Sequence, residues 1–166
     1  SGFGGGVSSE TTISEPIATV SGTVISPADF AYFCLAQYGK LIRAYKRLGI
    51  PTVIFSSIGN VQALLPAVAA SGIDALKITQ LANTGIDYVQ VGQAYPHLLL
   101  LGGLDATTLL RNRQEIVQEV KHRSTPLIKR GRWLPALDDT VRANVSYRRF
   151  QTYRKAAQDY ITSRRE

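Results

Sequence analysis

The 166-residue sequence predicts an α/β domain in which parallel strands alternate with helices, and three observations carry that reading. TVIFS (52–56) and LLLL (98–101) are short apolar runs without polar alternation, the pattern of strands buried on both faces in a helix-covered parallel sheet. Each such run leads through a short polar loop into a stretch of helical period, the order expected of βα units. Glycines stand where helices should stop before the next strand, at Gly49 and Gly72.

In chain order, ISEPIATVSGTVI (13–25) is β-branched and small, a short strand opening into a loop at Ser21 and Gly22. Ser26-Pro27-Ala28-Asp29 then starts a helix, with Ser as the cap, Pro at the first position and an acid in the first turn. That helix runs to Leu48, with Phe30, Phe33, Cys34, Leu41, Ile42, Tyr45 and Leu48 as its predicted buried stripe. TVIFS is the second strand, followed by a loop of Ser56, Ser57, Gly59 and Asn60 and an amphipathic helix over 61–70, kinked at Pro66. DALKIT (74–79) is the third strand, with a loop from Gln80 to Thr84 and a short helix to about Ala94. The leucine run ends in Gly102-Gly103-Leu104-Asp105, so Asp105 sits where the strand hands over to a helix predicted over 107–120. In α/β sheets that edge is where ligands bind. A last strand at 133–137, a polar loop at 138–144 and a closing helix at 146–163 complete the pattern.

Composition narrows the function classes. No apolar run approaches the ~20 residues of a membrane-spanning helix, and the N-terminus lacks the order of a signal peptide, so a cytoplasmic location is the expectation. The chain contains no Met, and its Gly- and Ser-rich opening reads as a flexible lead-in (1–12) at a processed end or fragment boundary. The domain follows over 13–163, with a basic tail at 164–166. Net charge is +7, much of it near the C-terminus in KHR (121–123) and KRGR (129–132). This suits anionic partners, but no nucleic-acid motif accompanies the charge, which reads mainly as a solvated helical face. The single Cys34 reads as a core residue.

Four ordered blocks point further: VSGTVISPADF, then TVIFSSIGNVQALLPAVAASGIDALKI, then LLLLGGLD, then PLIKRGRWLPALDDTVRANVSYRRF. In order and spacing they resemble the C-terminal half of the uroporphyrinogen decarboxylase-like superfamily, nearer its corrinoid-dependent methyltransferase branch. The resemblance implies the C-terminal half or more of a TIM (β/α)8 barrel, an activity of methyltransferase or carboxy-lyase type, and a tetrapyrrole or corrinoid as ligand. It also implies that an N-terminal half is needed for activity, so a homo-oligomer or a second chain completing the barrel is expected. Asp105 and Asp138 are the candidate catalytic residues, and Ser21, Gly22, Ser56, Ser57, Asn60, Gln80 and Arg142 the candidate substrate-binding ones. Asn60 and Asp105 are also suited to capping the helices that follow them. The methyltransferase branch holds zinc with a His and two Cys; here Phe55 and Ser57 occupy the first neighbourhood, and the loop 137–144 has no Cys, so no metal is expected. His97 and His122 fall elsewhere, and Asp139 stands where the decarboxylase branch has a His after Asp138. These departures imply an alternative, a non-catalytic scaffold or binding subunit that has kept the barrel architecture.

Overall fold

A computed structural model of the chain describes residues 10–163 apart from positions 16 and 20. The lead-in predicted for 1–12 lies outside the described residues up to position 9, as does the tail at 164–166. Five strands, β1 (Glu10–Glu15), β2 (Thr52–Ile58), β3 (Ala75–Thr79), β4 (Leu99–Leu101) and β5 (Trp133–Leu134), form one sheet in chain order, every pair parallel. The helices between them are α1 (Pro27–Asp29) and α2 (Ala36–Arg47), joined by a π turn over Phe30–Leu35, then α3 (Leu65–Ala70), α4 (Tyr88–Ala94) and α5 (Arg113–Arg130). The last helix is α6 (Tyr147–Thr162). Sequential parallel strands joined by helices are the connectivity of successive units in an eightfold barrel, so the fold is α/β and TIM-barrel-like, with part of the circle present.

Pairing register assigns each strand residue to a face. Ile13, Phe55, Leu76 and Leu100 turn one way, are buried, and join the core beneath the helices. Phe55 meets Phe30 and Tyr38 edge-on or tilted, with ring centroids 6.5 and 6.3 Å apart. The opposite face carries the row Ser14, Ser56, Lys77, Leu101 and Leu134, paired residue to residue across all five strands. Lys77 is exposed in the middle of this row and Leu134 is 55% exposed. In a closed barrel this face would be the packed interior.

Several expectations are corrected. The first strand begins at Glu10 and ends at Glu15, so only the first three residues of the β-branched stretch 13–25 belong to it, and 17–19 and 21–25 are loop with one bridge, Ala18 to Thr23. Ser56 and Ser57 lie inside β2. Phe33, Leu41 and Leu48 leave the predicted stripe, and Phe33 and Leu48 are 62% and 72% exposed. The π turn winds in extra residues, so the buried line recurs every four positions through Phe30, Tyr38 and Ile42, with Cys34 half-buried beside it. Pro66 stands in the first turn of α3 after a 3-10 turn, where its missing N–H has no partner to lose. The helix expected over 107–120 divides: Ala106–Leu110 is a 3-10 turn, and α5 starts at the Asn112–Glu115 capping box and runs through Pro126 to Arg130. Nor is all of KRGR solvated. The Arg130 guanidinium donates to the carbonyls of Tyr95 (3.3 Å), Pro96 (3.4 Å) and Leu98 (2.8 Å), tying α5 to the approach of β4, and a side chain at Gly92 would run into it.

One buried tyrosine stitches two strand ends together. Tyr88 Oη accepts the Ile78 N–H (2.8 Å) and donates to the Leu101 carbonyl (3.0 Å), joining β3 to β4. Burial drives its pKa far above the ordinary phenol value, the Ile78 bond opposing. Burial likewise pushes Tyr153 up to about 12, against the pull of Arg154. Both phenols ionise more readily in the unfolded chain, so their contribution is complete below about pH 10 and is lost as pH rises beyond it. Thermal melts are therefore expected to hold steady from pH 7 to 9 and to drop steeply between about pH 10 and 12. Tyr88→Phe should cost about 2–3 kcal/mol at neutral pH, because it strands a buried N–H and carbonyl, and should flatten the alkaline limb.

Candidate functional site

Parallel strands bring their C-terminal ends to one edge, and the loops that leave this edge build the candidate site. Gly102 and Gly103 carry the chain out of β4 with φ of 100° and 89°, a region that favours glycine. A Cβ on Gly103 would stand 2.9 Å from Tyr88 Cδ2, so a side chain there is excluded by packing as well. This tight exit delivers Asp105, whose Oδ1 accepts the Thr107 N–H (2.8 Å) and hydroxyl (2.7 Å) and caps the following turn.

Asp138 arrives from the loop after β5. Its N–H donates to Leu104 O (2.8 Å), its carbonyl accepts the Gln80 N–H (2.6 Å), and its buried Oδ1 accepts the Ala106 N–H (2.9 Å). Three strand ends are thus laced together around one aspartate. Gln80 takes part through its backbone, in the left-handed conformation at φ 58°. Asp105 and Asp138 line a common cleft of about 210 Å³, with Asp87 and Arg123 on its wall. The cleft places three carboxylates and one guanidinium together, a set able to hold a polar ligand and to accept or donate a proton.

The other predicted residues stand apart from this cleft. Ser21 and Gly22 form a turn that closes on Thr19, with Thr19 N–H donating to Gly22 O (2.8 Å). Ser56 belongs to the open face, beside Lys77, whereas Ser57 is buried and shares strand parity with Phe55. Asn60 brackets two loops: Oδ1 accepts the Gln62 N–H (3.1 Å), and Nδ2 donates to Thr84 O (3.2 Å). Arg142 is exposed, pairs with Asp139 at 3.8 Å and lines a separate small crevice with Ala106 and Thr107. His97 contacts Ala69 O (3.2 Å) at the opposite end of the sheet. Among the described residues no three His, Cys, Asp or Glu side chains are placed to hold a metal ion.

Lys77, Asp87 and Arg123 were not among the residues expected from sequence. Lys77 had a readable signal, since in DALKIT the alternation sets Ala75, Lys77 and Thr79 against the apolar Leu76 and Ile78. Asp87 and Arg123 reach the cleft from separate helices, a proximity that only folding creates.

The family model for uroporphyrinogen decarboxylase (URO-D) matches residues 13–133, a span that includes Lys77, Asp87 and Asp105 and stops before Asp138. A uroporphyrinogen decarboxylase of Trichlorobacter lovleyi is 32% identical over 100 residues, which are 60% of this chain and 28% of that protein. A methyltransferase from Methanosarcina mazei superposes with a TM-score of 0.66 at 16% identity, over 91% of this chain and 42% of that one. At such identity the likeness is one of fold. The chain spans less than half the length of either protein. No helix among the described residues is long and apolar enough to cross a membrane.

Proposed function

Because the chain belongs to the uroporphyrinogen decarboxylase family, we propose that it forms the C-terminal wall of a decarboxylase- or methyltransferase-type barrel and acts once N-terminal strands complete the circle. The observation that carries this reading is the uncovered row Ser14, Ser56, Lys77, Leu101 and Leu134, in a sheet whose C-terminal edge carries a cleft holding Asp105 and Asp138. A flat macrocycle bearing carboxylates, a tetrapyrrole or a corrinoid, suits a face that is apolar at Leu101 and Leu134 and cationic at Lys77. Lys77 would hold a ligand carboxylate, Asp138 would hold or pass a proton from its fixed position, and Arg123 would balance the acids of the cleft.

Completion of the circle has a second support. Phe33, Leu41 and Leu48 form an exposed apolar line on the helix that follows β1, and β1 is an edge strand. Natural sheets cover such edges, and a preceding βα unit, from a longer chain, a second copy or another protein, would cover both.

A second reading, a non-catalytic binding subunit, is favoured by Asp105, whose side chain caps the following turn, and by Asn60, whose side chain is spent on the Gln62 N–H and the Thr84 carbonyl. One experiment separates the two. The protein is mixed with the separately produced N-terminal half of the T. lovleyi relative, then assayed for complex formation by sedimentation and for uroporphyrinogen decarboxylation. A complex with activity that falls at least ten-fold in Asp138→Asn supports the enzyme reading. An inactive complex supports the binding subunit. A compact monomer that ignores the added half overturns the completed barrel.

A further inference from the structure

Away from the mouth, four cations have no ion-pair partner among the described residues: Arg113 and Lys121 on α5, and Arg148 and Lys155 on α6. All four line one groove of about 560 Å³ between these helices, with Val117, Val120 and Ala156 supplying its apolar wall. Val117 is 41% exposed within it, while Val120 is buried at its base. Asp159 is the one acid in the lining. A hydrogen bond of 2.6 Å between Thr125 and Tyr160 hydroxyls ties the two helices together beside the groove.

Spacing matters more than the number of charges. Eight positions separate Arg113 from Lys121 and seven separate Arg148 from Lys155, so at 1.5 Å per residue each helix carries a pair of cations about 10–12 Å, or two turns, apart. The groove therefore has a cationic rail on each side and an apolar strip between them. We infer that it docks an amphipathic helix of a partner protein, with apolar residues at helical spacing against Val117 and Ala156 and acidic residues on both flanks facing the rails. Helix-in-groove recognition uses this division of labour, apolar anchors for affinity and flanking charge for orientation. Phosphate-backbone binding would employ the cations and leave the apolar strip without a role.

The test is fluorescence anisotropy with a labelled 18-residue helical peptide that carries leucines on one face and glutamates on both flanks. A permuted peptide of the same composition, without an apolar face, serves as the comparison. The expected result is saturable binding of the first peptide, at least ten-fold tighter than that of the permuted one. Lys121→Glu/Lys155→Glu should weaken it at least ten-fold, and so should Val117→Asp, an exposed position whose variant keeps the wild-type melt. Equal binding of the two peptides would overturn the proposal, as would indifference to Val117→Asp. So would a groove whose charge reversal abolishes self-association of the chain, because the occupant would then be a second copy.

Discussion

Phe55→Ala is expected to cost about 3–5 kcal/mol, the largest loss from any single truncation in the sheet. Phe55 is fully buried, lies on the helix-covered side of β2, and contacts both Phe30 and Tyr38. Removing the ring takes away its transfer free energy and leaves a cavity between the sheet and the first helix. Lys77→Ala, on the opposite face of the adjacent strand, should change stability by no more than about 0.5 kcal/mol. Urea unfolding of the two variants measures the contrast. Comparable losses would mean that both sheet faces are packed, and the open interior on which the completed barrel rests would be wrong.

Gly103→Ala is expected to cost about 2–5 kcal/mol, from two causes that can be measured apart. The first is the left-handed backbone, about 1–2 kcal/mol for a residue with a Cβ. The second is collision with the Tyr88 ring, an overpacking term of about 1–3 kcal/mol. Gly49→Ala provides the first term alone, because Gly49 has φ 81° and nothing within 4 Å of an added Cβ. In a Tyr88→Leu background the Gly103→Ala penalty should shrink toward that value, and the cycle gives the coupling between the two residues. Since Gly103 delivers Asp105 to the cleft, the decarboxylation activity of the completed barrel should weaken along with stability if the cleft is the active site. A penalty equal to that of Gly49→Ala would show that the β4 exit is looser than the packing implies.

The βα alternation was legible because each signal for it is local. Buried strands read as apolar runs at Thr52 and Leu98, and the Ser26 cap with Pro27 and Asp29 marked a helix start that the structure keeps. Where a signal depended on distant partners, it misled. Phe33, Leu41 and Leu48 have the spacing of a buried stripe, but which side of a helix is buried depends on the neighbour it meets and on the π turn before it. Asn112 and Glu115 had the spacing of a capping box, yet the continuous helical period across it hid the break.

The mouth divides in the same way. Asp105 could be found because a strand, two glycines and an acid are consecutive, and Asp138 because it follows the last strand. That both face one cleft with Asp87 and Arg123 could not, since these four residues lie up to fifty-one positions apart along the chain. Sequence by itself determined the fold class and the edge where the C-terminal strand ends gather, because periodicity, caps and glycine stops act over a few residues, and its four ordered blocks carried the resemblance to the family. Tertiary structure alone decided which face of the sheet is open, that Lys77 stands in its middle, and that Asn60 and Asp105 use their side chains on backbone. Those outcomes depend on the register between strands and the packing between helices, where the interacting groups are neighbours only after folding.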